Sequence, residues 1–119
     1  MSKKDSKLVI EKVGSISRVS FLERNILEES SIQQIGEELS QLIDETENLR
    51  MLINFSNVEH LSSAALGTLI TINNKVRNKG GQLRLSNIDP QIYEVFVITK
   101  LNKLFQIHPD VAAAEQSFK

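Results

Sequence analysis

Met51-Leu52-Ile53-Asn54-Phe55-Ser56-Asn57-Val58-Glu59-His60-Leu61-Ser62-Ser63-Ala64-Ala65-Leu66-Gly67 runs from an apolar segment, through a polar turn, into a helix start. Met51 to Phe55 does not alternate, and such runs suit a strand covered on both faces. Ser56 to His60 is turn-like. A helix is predicted from about Ser63, with Leu66, Leu69, Ile70 and residues 73–76 along its apolar stripe. Lys75, Arg77 and Lys79 fall in its last turns, where cations complement the negative end of the helix dipole. Gly80-Gly81 stops it, and Gln82 to Ser86 alternates as a strand should. Strand, helix and strand in this order imply a parallel pair joined by a right-handed crossover.

The same alternation extends in both directions. Leu8–Val13 and Ile16–Phe21 flank Gly14-Ser15 and read as a hairpin. Ser17, Arg18 and Ser20 make the interior of the second strand polar, which predicts one wet face. After a polar loop, Glu23 to Glu29, either Ser30 or Ser31 offers a cap, each with a glutamine three positions on, the capping-box arrangement. Ile32, Ile35, Leu39, Leu42 and Ile43 then share one face of a helix ending near Glu47. Downstream, Asp89-Pro90 starts a third helix with Ile92, Val95, Phe96 and Thr99 facing inward. Leu101 to Ile107 supplies a turn and a last short strand, and Pro109-Asp110 opens a closing helix. The order β-β-α-β-α-β-α-β-α predicts an α/β fold: one domain, residues 8–119, with a mixed, mostly parallel sheet of four to five strands and about four helices. Residues 1–7 read as a flexible lead.

Composition narrows the function. The chain has 119 residues, 40% hydrophobic, with no Trp and no Cys. A formal net charge of −1 argues against a nucleic-acid binder, which carries a basic face. Without cysteine there is no disulfide framework and no thiolate chemistry. His60 and His108 stand far apart with no metal-ligand spacing around them, so neither a metal nor a cofactor is expected. No apolar run is long enough to span a bilayer, and the first residues lead into no signal-type segment, so a cytoplasmic protein without membrane contact is expected. A serine hydrolase would show Gly-x-Ser-x-Gly, but Leu61 and Ala65 flank Ser63 at those positions. Gly80-Gly81 lies after a helix and before a strand, the reverse of a phosphate-binding loop. No catalytic constellation emerges, and the chain reads as a non-enzyme.

Ser62-Ser63 remains. Serine is a favoured helix cap, and one serine suffices for that role. The second then sits in the first turn, where a phosphate would meet the positive end of the helix. Cap and switch are both open readings of the residues themselves.

The ordered set of strand, turn, serine-bearing helix start (residues 51–69), Lys79-Gly80-Gly81-Gln82-Leu83-Arg84-Leu85 and Ile98-Thr99-Lys100-Leu101-Asn102-Lys103-Leu104-Phe105 resembles a STAS domain. This is the family of anti-sigma factor antagonists, and the likeness covers residues 8–118. It implies partner switching. A serine kinase that is itself the anti-sigma factor binds and phosphorylates the antagonist, and a phosphatase resets it. The family's usual segment is Asp-Ser-Ser-Gly-Leu-Gly. Aligned on Leu66-Gly67, Ser63 falls on the phosphorylated serine, Ser62 stands where Asp is usual, and Ala64 and Ala65 replace Ser and Gly. The resemblance thus implies Ser63 as phosphoacceptor, with Ser62 as rival, and Ser62, Ser63, Leu66 and Gly67 as the partner-binding set. Leu66 and Gly67 have plainer readings too, as core and as a helix-packing position. The family often has Gly-Glu-Leu-Asp after the second strand; Arg24-Asn25-Ile26-Leu27 stands there instead, so partner contacts in that loop do not carry over. The alternative is a non-phosphorylated scaffold or ligand-sensing module in a larger regulatory complex.

Overall fold

β4 (Arg50–Asn54) is the middle strand of a five-stranded sheet in the computed structural model, which describes residues 6–118. Met51, Leu52 and Ile53 are fully buried, which is why this run carries no alternation. β1 (Leu8–Val13) and β2 (Ile16–Phe21) form the antiparallel hairpin, turning at Gly14 with φ of +61°. β2, β4, β6 (Gln82–Ser86) and β7 (Gln106–His108) are parallel, giving the order β1-β2-β4-β6-β7. The predicted mixed, mostly parallel sheet is therefore the one observed.

α1 (Glu29–Glu45) and α2 (Ser63–Asn78) pack side by side and share the main core with the sheet. Val19, Phe21, Met51, Ile53, Leu83 and Leu85 meet Ile35, Leu39, Ile43, Leu69, Ile72 and Val76 there. Each such side chain contributes about 1.5–3 kcal/mol when fully buried. α2 ends in a Schellman motif: Gly80 N–H donates to the Arg77 carbonyl at 3.0 Å and Gly81 N–H to that of Val76 at 2.9 Å. Gly80 has φ of +75°, and a Cβ on Gly81 would stand 2.8 Å from the Leu49 carbonyl, so both glycines are needed. α3 (Pro90–Ile98) starts as expected, with Asp89 accepting from Gln91 N–H at 2.9 Å and Pro90 in the first turn.

The opposite face of the sheet carries the row Arg18, Leu52, Arg84 and Gln106. α4 (Val111–Gln116) packs on β4, β6 and β7 over it, with Glu115 ion-paired to Arg18 at 2.5 Å.

Several local expectations are corrected. Glu28 occupies the cap position of α1 with no side-chain cap bond, so Ser30 and Ser31 lie within the first turn and the capping box does not form. The carboxylates of Glu28 and Glu29 stand at the positive end of the helix instead. Ser17 is buried on the core face, where its hydroxyl accepts from Lys12 Nζ; only Ile16, Arg18 and Ser20 form the half-wet face. Val95 and Thr99 are exposed rather than inward-facing, because Ile92 and Phe96 alone point at the core from this short helix. The polar segments around residues 25 and 60 are not plain loops: β3 (Asn25–Ile26) and β5 (His60–Leu61) pair in parallel as a second, small sheet. Residues 1–5 of the expected lead lie outside the described residues, while Lys7 N–H is bonded to Glu38 at 2.9 Å.

Candidate functional site

The start of α2 is held from two sides. Asn54 begins the turn by accepting Ser56 N–H at 2.9 Å, and Val58, buried, returns its N–H to the Phe55 carbonyl. Asn57 reaches across and donates to the Phe21 carbonyl at 3.1 Å. The Arg24 carbonyl accepts from the N–H groups of Glu59 and His60, and the Ile26 carbonyl accepts from Ser62 N–H at 3.1 Å. The loop after β2 and the loop after β4 are thus stitched together, and this backbone contact sets where α2 begins.

Ser62 is the cap. Its backbone is extended, and its hydroxyl accepts the N–H of Ala65 at 3.2 Å. Ser63, the first helical residue, is exposed, as are Ala64 and Gly67. Ser63 and Gly67 are one helical turn apart and share an outward face. Nothing lies within 4 Å of where a Gly67 Cβ would be. Leu66 is 6% exposed and packs in the core, so of the four residues grouped at this site the fold itself uses two, Ser62 as cap and Leu66 as core. The first turn contains no acidic residue. The N–H groups of a first helical turn have no intrahelical partner, and the dipole adds a positive potential there. A dianion on Ser63 would be electrostatically welcome to the helix and would change the charge of the surface around it.

Around this helix start, the sequence left three features unseen. Leu27 follows β3 one register step beside Ser62 and is 54% exposed. Val95 lies across a cleft of about 150 Å³ from Leu66, with His60 and Gln91 also lining it. His60 itself is exposed on β5, and neither it nor His108 is bonded to Ser63. Exposure of a leucine in a loop has no sequence signature, whereas the β-branched Val95 at helical spacing from Ile92 looked like core. Among the described residues, no group of His, Asp or Glu side chains could hold a metal ion, and no helix is long and apolar enough to cross a membrane.

Comparison with known proteins places this geometry in context. The STAS domain family model matches residues 16–114. A candidate anti-sigma factor antagonist of Bordetella bronchiseptica, BtrV, is 25% identical over 96 residues, covering 81% of this chain and 82% of its own. Among solved structures, an anti-sigma factor antagonist (STAS) domain protein from Planctomyces limnophilus superposes with a TM-score of 0.81 at 17% identity, over 90% of this chain and 93% of that one. The phosphorylated form of the Bacillus cell fate determinant SpoIIAA gives 0.69 at 17% identity, over 93% and 99%. At such identities the structural likeness shows a shared fold.

Proposed function

The chain belongs to the STAS domain family, and from that membership we propose that it is an anti-sigma factor antagonist working by partner switching. The observation that supports this reading most directly is the exposed Ser63 at the first position of α2, beside a neighbour already engaged as the cap. The unmodified face of Ser63, Ala64 and Gly67 docks on a serine kinase that is also the anti-sigma factor. Leu27 and Val95 extend that face with apolar area. Phosphate on Ser63 adds about −1.5 to −2 charges, and the partner surface releases by repulsion and by the cost of desolvating the charge. A phosphatase restores the binding form. The protein acts by binding rather than by catalysis.

A second reading is favoured by one residue. Ser62 stands where the family has Asp, so the site lacks the acid that precedes a usual target serine. On that reading the chain is a scaffold that binds without being phosphorylated. Incubation with the cognate kinase and ATP, followed by phosphopeptide mass spectrometry and size-exclusion chromatography, separates the two. Switching requires phosphate on Ser63 and dissolution of the complex. A stable complex with no phosphate on Ser63 leaves the scaffold.

A further inference from the structure

Asn73 sits in the apolar stripe of α2, 5% exposed, and its Nδ2 has no hydrogen-bond partner among the described residues. An unpaired buried amide is costly, so a polar residue kept there calls for a partner that comes from outside. Asn73 lines a cleft of about 370 Å³ together with Arg77, Gln82, Arg84, Lys103 and Gln106. The cleft arises from strand length. β7 begins at Gln106, opposite Arg84, so Gln82 and Leu83 of β6 have no β7 neighbour. Lys103, the last residue of the 3-10 turn at Leu101–Lys103, and Leu104 line the cleft there.

No carboxylate lines this cleft, and none is ion-paired with Arg77, Arg84 or Lys103 among the described residues. Arg84 is held by neutral groups: Nε donates to Ser117 Oγ at 2.8 Å, an Nη to Gln82 Oε1 at 3.1 Å, and the Phe118 ring lies 5.0 Å away. These partners hold its guanidinium toward the α4 side of the sheet, so Arg84 borders the cleft without turning its charge to Asn73. Arg77 and Lys103, both exposed, are then the cations free to meet a ligand at this cleft, two like charges with no carboxylate beside them. They exceed what a monovalent carboxylate would neutralise, and guanidinium and ammonium groups are the usual binders of phosphate oxygens. The volume is at the small end for ligand sites, which run from roughly 300 to 1,000 Å³.

We propose that this cleft binds the phosphate group of a small molecule. The Asn73 amide donates to a phosphate oxygen from inside, and Arg77 and Lys103 close on it from the rim. The site is separate from Ser63, which lies about 15 Å away along α2 at 1.5 Å per residue, and it stands whether or not Ser63 is modified.

The test is an NMR titration of the ¹⁵N-labelled protein with inorganic phosphate, at ionic strength held constant with chloride, and then with glycerol 3-phosphate. Saturable shifts are expected at the Asn73 side-chain amide and at the backbone of Leu83 and Lys103. The exposed double variant Arg77→Gln/Lys103→Gln should weaken binding about tenfold or more. Asn73→Leu should abolish it while raising the thermal midpoint, because the orphan amide is gone. Tighter binding of glycerol 3-phosphate than of phosphate identifies an organic ester as the occupant, and equal binding identifies the free ion; both sustain the site. Linear shifts, equal shifts with chloride, indifference to the rim variants, or a lower midpoint for Asn73→Leu would overturn it.

Discussion

The hydroxyl of Ser62 accepts the N–H of Ala65 at 3.2 Å, which commits one of two adjacent serines to the helix and leaves Ser63 exposed. The two should therefore fail differently when changed. Ser62→Ala removes the cap and should lower stability by about 1 kcal/mol, or about 4 °C in melting temperature. Urea and thermal melts check this. Ser62→Asp should hold stability, since a carboxylate also caps and meets the positive helix end.

Ser63→Asp adds a negative charge to a first turn that has none. Stability should stay level or rise by about 0.3–1 kcal/mol. Binding of the kinase, measured by calorimetry, should fall at least about tenfold, equivalent to about 1.4 kcal/mol. Unchanged affinity would mean that charge is not the release signal.

Leu27 offers an independent test of the docking face. At 54% exposure it contributes little to the fold, so Leu27→Asp should change stability by no more than about 0.5 kcal/mol. It stands one step beyond the β3–β5 pairing, next to Ser62, and its change should weaken the partner complex. The loop was read from sequence as polar and without assignable contacts, so this effect would come from the structure alone.

α4 is fastened to the sheet by Glu115 on Arg18, two side chains each about one quarter exposed. Glu115→Ala should cost about 1 kcal/mol, the upper range for pairs that solvent still reaches. The hydrogen bond to Glu115 is the first cause that raises the Arg18 pKa; burial opposes it. A cation whose pKa is raised on folding contributes stability below its unfolded value and loses it only as pH climbs through the folded one. That window lies at extreme alkalinity. The Arg18 contribution should thus stay flat between about pH 7 and pH 10, as urea midpoints of the two proteins would show.

How far the sequence could be read depended on how many residues shared each signal. β4 was legible because Met51, Leu52 and Ile53 are all buried, so burial on both faces wrote an unbroken apolar run. The end of α2 was legible because a Schellman motif needs glycine at a positive φ, and Gly80 supplies it. β3 and β5 were not, since two residues each cannot set a period and their pairing is fixed by carbonyls at Arg24 and Ile26, distant in sequence. The start of α1 was misplaced because Ser30 and Ser31 satisfied a capping pattern that the backbone reached two residues too early to use. At the site, local pattern pointed to Ser62 and Ser63, but only burial could show that Leu66 belongs to the core. Asn73 was read merely as one end of a stripe, because a missing hydrogen-bond partner is a property of three-dimensional surroundings.

Gly67 carries the prediction in which stability and function should move in opposite directions. It lies inside α2, one turn beyond Ser63, and a Cβ there would meet nothing within 4 Å. No packing against this chain explains the glycine, which rules out the helix-packing role for the described fold. In an exposed helix interior, Gly67→Ala should stabilise by up to about 1 kcal/mol, through reduced backbone entropy in the unfolded chain. If Gly67 serves the close approach of a partner, the added methyl group meets that partner's surface, and the complex should weaken while the free protein melts later. Melting curves and calorimetry on the same preparation check both signs. A variant that is more stable and binds unchanged would remove Gly67 from the docking face and leave Ser63 and Leu27 to define it.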